Sequence, residues 1–238
     1  MPEAIPDAAE NASEIVLRTK DVSLSYFDGD QTTYALRNLS LEIPRRGFFG
    51  IMGPSGSGKS SLLYLLSGLK QPTEGAILFQ DRSLRSLSDS ERTTLRRTRF
   101  GFVFQQPFLL NYLSARENIL LAAQADDLDR EKRVDTLMFE LGISALAQRK
   151  PAHLSGGEKQ RVVVARAMVN MPDVIFADEP TAALDHVNGR TVVELLSRYR
   201  DRGAVVVVTH DPVMLTGADH IYHLVDGTLD SIEYNRHN

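Results

Sequence analysis

The sequence predicts an α/β fold: a mostly parallel β-sheet covered by helices, preceded by an antiparallel β subdomain and interrupted by an inserted helical segment. Three observations carry this. The runs Phe48–Met52, Val174–Ala177 and Ala204–Val208 are continuously apolar, as strands buried on both faces must be. Helical patterns fall between them, at about 156–170 and 188–201. Ahead of the first run, residues 15–49 carry short alternating segments separated by turn formers.

In chain order, Ile15-Val16-Leu17, Val22 to Tyr26 and Leu36 to Ile43 read as the antiparallel strands, with Asp28-Gly29-Asp30 among the turns between them. After the strand at 48–52, Ser61 to Leu69 reads as a buried helix, with leucines at 62, 63, 65, 66 and 69. Ala76 to Phe79 follows the turn Pro72-Thr73-Glu74-Gly75 as a strand, and Phe100 to Phe104 is another. Arg92, Arg96, Arg97 and Arg99 read as a solvated helix face. Residues 114–150 are mainly helical in pattern, through Ile119-Leu120-Leu121 and Val134, Leu137, Met138 and Leu141. A last strand is expected at Ile221 to Val225. No internal repeat is visible.

Size and composition bound the function. The 238 residues suffice for one large domain or a domain with an insertion. A content of 42% hydrophobic and 24% charged residues suits a soluble globular chain. With no cysteine there is no disulfide framework and no cysteine metal site, which suits a cytosolic protein. No stretch approaches the roughly 18 apolar residues of a membrane span. The N-terminus is acidic and lacks an apolar core, so it does not read as a secretory signal. The net charge of −4 comes from Glu3, Asp7, Glu10 and Glu14. Residues 1–14 are expected to be a disordered acidic tail. The remaining body is neutral, so no nucleic-acid partner is expected.

The chemistry is concentrated in three segments. Gly53-Pro54-Ser55-Gly56-Ser57-Gly58-Lys59-Ser60 is G-x-x-x-x-G-K-S, set between a buried strand and a buried helix. Its glycines let successive N–H groups converge on a phosphate at the positive end of a helix. Lys59 would reach the β- and γ-phosphates, and the Ser60 hydroxyl would ligate Mg²⁺. In Leu154-Ser155-Gly156-Gly157-Glu158-Lys159-Gln160-Arg161, Ser155 is a good N-cap and Val162, Val163, Ala165 and Met168 continue a helix. That makes a second helix start suited to an anion. Asp178 and Glu179 end a buried strand; Asp178 would hold Mg²⁺, directly or through water, and Glu179 would orient and deprotonate a water. Another strand ends in Thr209-His210-Asp211, placing His210 where it could sense the γ-phosphate.

These motifs, in this order, resemble those of the ATP-binding cassette (ABC) ATPases over residues 15 to about 230. The resemblance implies a P-loop NTPase (RecA-like) core, the N-terminal antiparallel β subdomain and a helical signature subdomain at about 107–160, all within one ATPase domain of residues 15–238. Walker A matches 53–60, with Ser61 beside it as a further ATP-binding residue. The signature matches 154–158, so that Ser155, Gly156, Gly157 and Glu158 would bind ATP held by the opposite subunit. Walker B and its glutamate match 174–179, the D-loop resembles Thr181 to Asp185, and His210 matches the switch histidine. Gln105 matches the glutamine that touches Mg²⁺ and the attacking water, with Gln106 one position away. Tyr26 fits the aromatic that stacks on adenine, with Phe27 its neighbour. Ala182 stands where Ser is common and Glu158 where Gln is common.

The same resemblance implies two cassettes closing head to tail on two ATP molecules, with Mg²⁺, and an integral membrane permease partner. The chain would then sit in the cytoplasm, peripheral at the inner face of the cell membrane. The stretch from Lys59 to Leu154 is too short for the coiled coil or zinc module of chromosome-maintenance and repair members. Phe100 to Leu110, Glu117-Asn118-Ile119 and Pro180 to Asp185 are similar to the ATPases of bacterial lipoprotein-releasing, macrolide-exporter and glycolipid-exporter systems. Amino-acid importers share much of this pattern, and a soluble ATPase of the iron–sulfur assembly kind also fits the spacing. Pro107 to Leu113 is strongly apolar; it reads either as a docking surface for the membrane subunit or as part of the helical subdomain's own core.

Overall fold

The computed structural model describes residues 14–29, 31–125 and 127–235. Residues 1–13 of the predicted acidic tail therefore lie outside the described residues.

Two sheets organise the chain. The first is antiparallel, built from β1 (Ile15–Asp28), β2 (Gln31–Pro44), β4 (Glu74–Phe79) and the short β5 (Arg82–Ser83), in the order β2-β1-β4-β5. The two segments expected at 15–17 and 22–26 are one long strand, bent where the register with β2 shifts between Thr19 and Val22. Asp21 takes a left-handed φ of 50° there, and its backbone N–H donates to Ser40 Oγ at 2.8 Å. The interruption in the sequence pattern is thus a bulge, not a chain reversal.

The second sheet holds β3 (Gly47–Met52), β6 (Phe100–Phe104), β7 (Val174–Asp178), β8 (Ala204–Val208), β9 (His220–Val225) and β10 (Thr228–Tyr234). Its order is β10-β9-β3-β8-β7-β6, parallel except for the antiparallel edge strand β10. β10, TLDSIEY, half-buries Leu229 and Ile232 and exposes the rest, with no apolar run to announce it.

Both faces of this sheet are buried, and the side chains of each strand divide between them with period two. On one face Phe48, Ile175, Ala177, Val205 and Val207 pack with α3 (Ala115–Leu120), α4 (Arg130–Glu140), α5 (Gly156–Met168) and α6 (His186–Ser197). On the other, Phe49, Ile51, Phe176, Val206 and Val208 pack with α1 (Lys59–Leu66) and the antiparallel sheet. Edge-to-face pairs Phe79–Phe100 and Phe100–Phe176 join the two sheets, with centroids 5.1 and 5.2 Å apart.

The arginines expected on a solvated face lie on α2 (Asp89–Arg99) and are only partly solvated. Arg92 Nη1 donates to Leu87 O at 2.7 Å, Arg96 Nη1 to Gly68 O at 3.0 Å, and Arg99 pairs with Asp173. The Arg97 side chain is exposed as expected, although its backbone carbonyl accepts from Asn170 Nδ2 at 3.0 Å. Guanidinium groups long enough to reach neighbouring carbonyls staple this helix to the loops beside it.

Candidate functional site

The site forms because four parallel strands end at one level. Ile51, Val208, Asp178 and Phe104 stand side by side across β3, β8, β7 and β6. The residues just beyond them emerge together at the carboxyl edge: the loop 53–58 after β3, Thr209 and His210 after β8, Glu179 after β7, and Gln105 after β6. Crevices at the carboxyl ends of parallel strands are where open α/β sheets bind ligands.

The loop at 53–58 has the backbone that its glycines permit. Gly53, Gly56 and Gly58 have φ of 157°, 81° and 95°. A Cβ on Gly53 would lie 2.1 Å from Leu224 O, and one on Gly58 would lie 2.5 Å from Ala35 O. No side chain caps α1, so its first N–H groups point out of the helix as an anion site requires. Lys59 Nζ donates back to Gly53 O and Pro54 O at 2.8 and 2.9 Å, which holds the ammonium against the loop. Ser57 Oγ is buried there without a hydrogen-bond partner.

Asp178 is nearly buried and accepts from two hydroxyls of α1. Ser60 Oγ donates to its Oδ1 at 3.0 Å, and Tyr64 Oη donates to its Oδ2 at 3.2 Å. Burial pushes the Asp178 carboxyl above its ordinary range, the neighbouring Glu179 adds to the rise, and the two hydroxyls and Lys59 oppose it. Burial also raises the Tyr64 phenol, with Asp178 adding to it, so that hydroxyl keeps its proton and donates.

Glu179 has a left-handed φ of 45°, a costly conformation for a residue with a Cβ, about 1–3 kcal/mol. Its N–H donates to Val208 O at 2.9 Å, which keeps it level with β8. Its carboxylate meets His210 Nδ1 at 2.9 Å and accepts from Thr209 Oγ1 at 3.3 Å. A cleft of about 430 Å³ opens beside these groups, lined by Gly53, Pro54, His210, His223 and Asp230 among others. The pair Ser60–Asp178 and the pair Glu179–His210 stand at the same carboxyl edge as the loop at 53–58.

The structure does not bring every expected residue here. Gln105 and Gln106 are exposed, and among the described residues no hydrogen bond joins either to Ser60 or Asp178. Ser155 caps α5: its Oγ accepts from Glu158 N at 3.3 Å, and its own N–H donates to Glu158 Oε2 at 2.7 Å. The Glu in place of the usual Gln thus completes a capping box, and Ser155's N–H holds its carboxyl below the usual range. Gly157 lies against Asn188, which a Cβ would approach to 2.4 Å, while a Cβ on Gly156 would meet Leu184 at 3.4 Å and Ala183 O at 3.9 Å. Asp185 caps α6 by accepting from Val187 N and Asn188 N at 3.1 and 3.0 Å. These contacts place the 155–158 segment beside Asp185, and no hydrogen bond among the described residues ties it to 53–61.

Tyr26 is 44% exposed and accepts from Lys70 Nζ at 2.6 Å, whereas Phe27 is 75% exposed. The apolar stretch at 107–113 divides: Phe108 and Tyr112 are 63% and 70% exposed, while Leu109 packs into the helical side of the core. Arg166 of α5 and Asn118 of α3 clamp this stretch, Gln160 of α5 holds the end of β6 just before it, and the sequence did not single them out for this. Gln160 Nε2 donates to Phe104 O at 3.2 Å. Arg166 donates to the carbonyls of Pro107 and Phe108 at 2.8 and 2.9 Å, steadying Phe108 at a φ of 44°. Asn118 bonds to Leu110, Leu113 and Ser114. Tyr64 was missed too; its only sequence signal is that it stands four residues after Ser60, on the same helix face.

Comparison with known proteins shows the family. The ABC transporter family model matches residues 36–182. The chain is 40% identical over 221 residues to the lipoprotein-releasing system ATP-binding protein LolD of Acinetobacter baylyi, covering 90% of this chain and 97% of that one. It is 37% identical over 220 residues to the macrolide export ATP-binding/permease protein MacB of Neisseria meningitidis, covering 91% of this chain but 34% of MacB. Among solved structures, the dimeric ATP-binding cassette MJ0796 of Methanocaldococcus jannaschii, bound to ADP and Pi after hydrolysis, superposes with a TM-score of 0.84 at 38% identity, covering 93% of this chain and all of that one. The chain belongs to the ABC transporter family, as an ATP-binding subunit that hydrolyses ATP.

Proposed function

We propose that this subunit drives a membrane permease of the lipoprotein-releasing or macrolide-exporter type, with few spans and a large extracytoplasmic domain, by closing as a homodimer on two ATP molecules. In this reading residues 15–238 form one ATPase domain, and residues 107–160 form the subdomain that meets the permease at the inner face of the membrane. No helix among the described residues is long and apolar enough to cross a membrane; in this reading a permease supplies the membrane-spanning part. The exposed side chains of Phe108 and Tyr112, on a stretch clamped by Arg166 and Asn118, offer it an apolar face.

The observation that carries the catalytic half is the level row Ile51, Val208, Asp178 and Phe104, which delivers Ser60–Asp178 and Glu179–His210 to the phosphate loop. Residues 53–61 hold the phosphates through backbone N–H groups and Lys59. Tyr26, positioned by Lys70, stacks on adenine. The donor set fits magnesium: Ser60 and Asp178 present hard oxygens 3.0 Å apart. They are too few to cage an ion without phosphate and water, as suits Mg²⁺ bound with a nucleotide. Gln105 would join them by moving in from its exposed position. Bound there, magnesium would offset the charge developing on the transferred phosphoryl group. Glu179 orients the attacking water and takes its proton, held in place by Thr209 and His210. The signature residues Ser155, Gly156, Gly157 and Glu158 act on the nucleotide of the partner subunit, beside Asp185.

The test is Glu179→Gln. Turnover should fall on the order of 10²–10⁴-fold, with ATP binding intact and a dimer trapped by ATP. Capture of this variant from detergent-solubilised cells with ATP should recover an integral membrane protein. Wild-type turnover would refute the role of Glu179. Recovery of soluble partners alone would replace the permease with a cytosolic assembly complex.

A further inference from the structure

Asp178 is gripped at both oxygens from successive turns of one helix. Ser60 Oγ donates to Oδ1 at 3.0 Å and Tyr64 Oη donates to Oδ2 at 3.2 Å, the four-residue spacing putting both hydroxyls on one face of α1. Ser60 is the residue proposed to turn its oxygen toward magnesium. Tyr64 is differently placed: its ring lines an apolar hollow of about 290 Å³ with Leu69, Lys70, Phe104 and Phe108, so only its hydroxyl reaches the carboxylate.

We infer that Tyr64 is a positioning residue for metal binding, its hydroxyl holding Asp178 Oδ2 so that Oδ1 faces the divalent cation beside Ser60. This rests on the reading of Asp178 as the metal-side carboxylate. Side chains that hydrogen-bond to a ligand orient it, and their loss typically costs about 10–100-fold in metal affinity or activity. The geometry separates this role from phosphate binding, because Tyr64 makes no hydrogen bond to the loop 53–58 among the described residues. It separates it from hydrolysis as well, because Glu179 is held by Thr209 and His210 instead. Phe104, the last residue of β6, shares the hollow, so Tyr64 lies between Asp178 and the start of the stretch that carries Gln105.

The experiment compares wild type, Tyr64→Phe and Asp178→Asn. Removing one oxygen leaves the ring in its apolar hollow, and thermal melting confirms that the fold is retained. Two quantities are read: Mn²⁺ affinity by electron paramagnetic resonance with a non-hydrolysable ATP analogue, and affinity for the analogue alone in EDTA. Tyr64→Phe should weaken Mn²⁺ about 10-fold, leave the affinity in EDTA unchanged, and raise the Mg²⁺ needed for half-maximal turnover by a similar factor. Wild-type Mn²⁺ affinity in Tyr64→Phe, with a loss in Asp178→Asn, would overturn the inference alone. Wild-type affinity in Asp178→Asn would overturn it together with the reading of Asp178. A loss for Tyr64→Phe that is equally large in EDTA would overturn it too, since the hydroxyl would then support the phosphate loop.

Discussion

Asn118 gives the sharpest test of how the proposed docking stretch is held. It is 1% exposed. Its Oδ1 accepts from Leu110 N at 2.8 Å, and its Nδ2 faces the carbonyls of Leu110, Leu113 and Ser114 at 3.2, 3.2 and 2.9 Å. The amide has two protons for three carbonyls, so about three full hydrogen bonds are made in all. At about 1 kcal/mol net for each, Asn118→Ala should cost about 3 kcal/mol, with the same penalty at pH 5 and pH 8. Asn118→Asp behaves differently. A buried carboxylate facing three carbonyls has its pKa raised above the ordinary Asp value of about 3.9. The unfolded chain then loses its proton first as pH rises. Relative to wild type, stability is highest below about pH 4 and falls by up to about 1.4 kcal/mol per pH unit, until the pH passes the folded value. Urea unfolding followed by circular dichroism at both pH values, each variant measured against wild type, reads this directly. A loss below about 1 kcal/mol for the alanine variant, or no further loss at pH 8 for the aspartate variant, would refute the clamp. ATP binding should survive in both, while capture of the membrane partner should weaken.

Two glycines should separate folding from assembly. Gly53→Ala places a Cβ 2.1 Å from Leu224 O at a φ of 157°, so equilibrium binding should show loss of nucleotide. Gly156→Ala meets nothing closer than Leu184 at 3.4 Å and Ala183 O at 3.9 Å, so melting temperature and ATP binding should hold, while the ATP-trapped dimer of the Glu179→Gln background should weaken on gel filtration. The three capping boxes set an acid limit. Ser88 holds Glu91 down from 4.5 to about 2, and Ser114 and Ser155 lower Glu117 and Glu158. Groups with lowered folded pKa stabilise above their unfolded value and lose that contribution as pH falls through the folded one. The urea midpoint should therefore decline below about pH 4.5, and less steeply in Glu91→Gln.

Much of the molecule was determined by local sequence. β3, β6, β7 and β8 are short continuous apolar runs whose burial on both faces follows from composition alone, and they lie within a residue of where that pattern puts them. The loop at 53–58 was legible because only glycine takes its backbone, and Ser155 because a cap and its Glu158 partner stand three residues apart. Tertiary structure decided what those patterns cannot encode. The bend at Asp21 breaks a single strand that reads as two, and β10 pairs through backbone groups with little apolar signal. The same holds for Tyr64 on Asp178, for Gln160 on the last residue of β6, and for Arg166 and Asn118 on the stretch after it. Each is a polar side chain satisfying a group that folding brings near it. Hydrophobic periodicity reports which face of an element is buried; which donor meets which acceptor across elements depends on where the chain returns, and no local spacing records it.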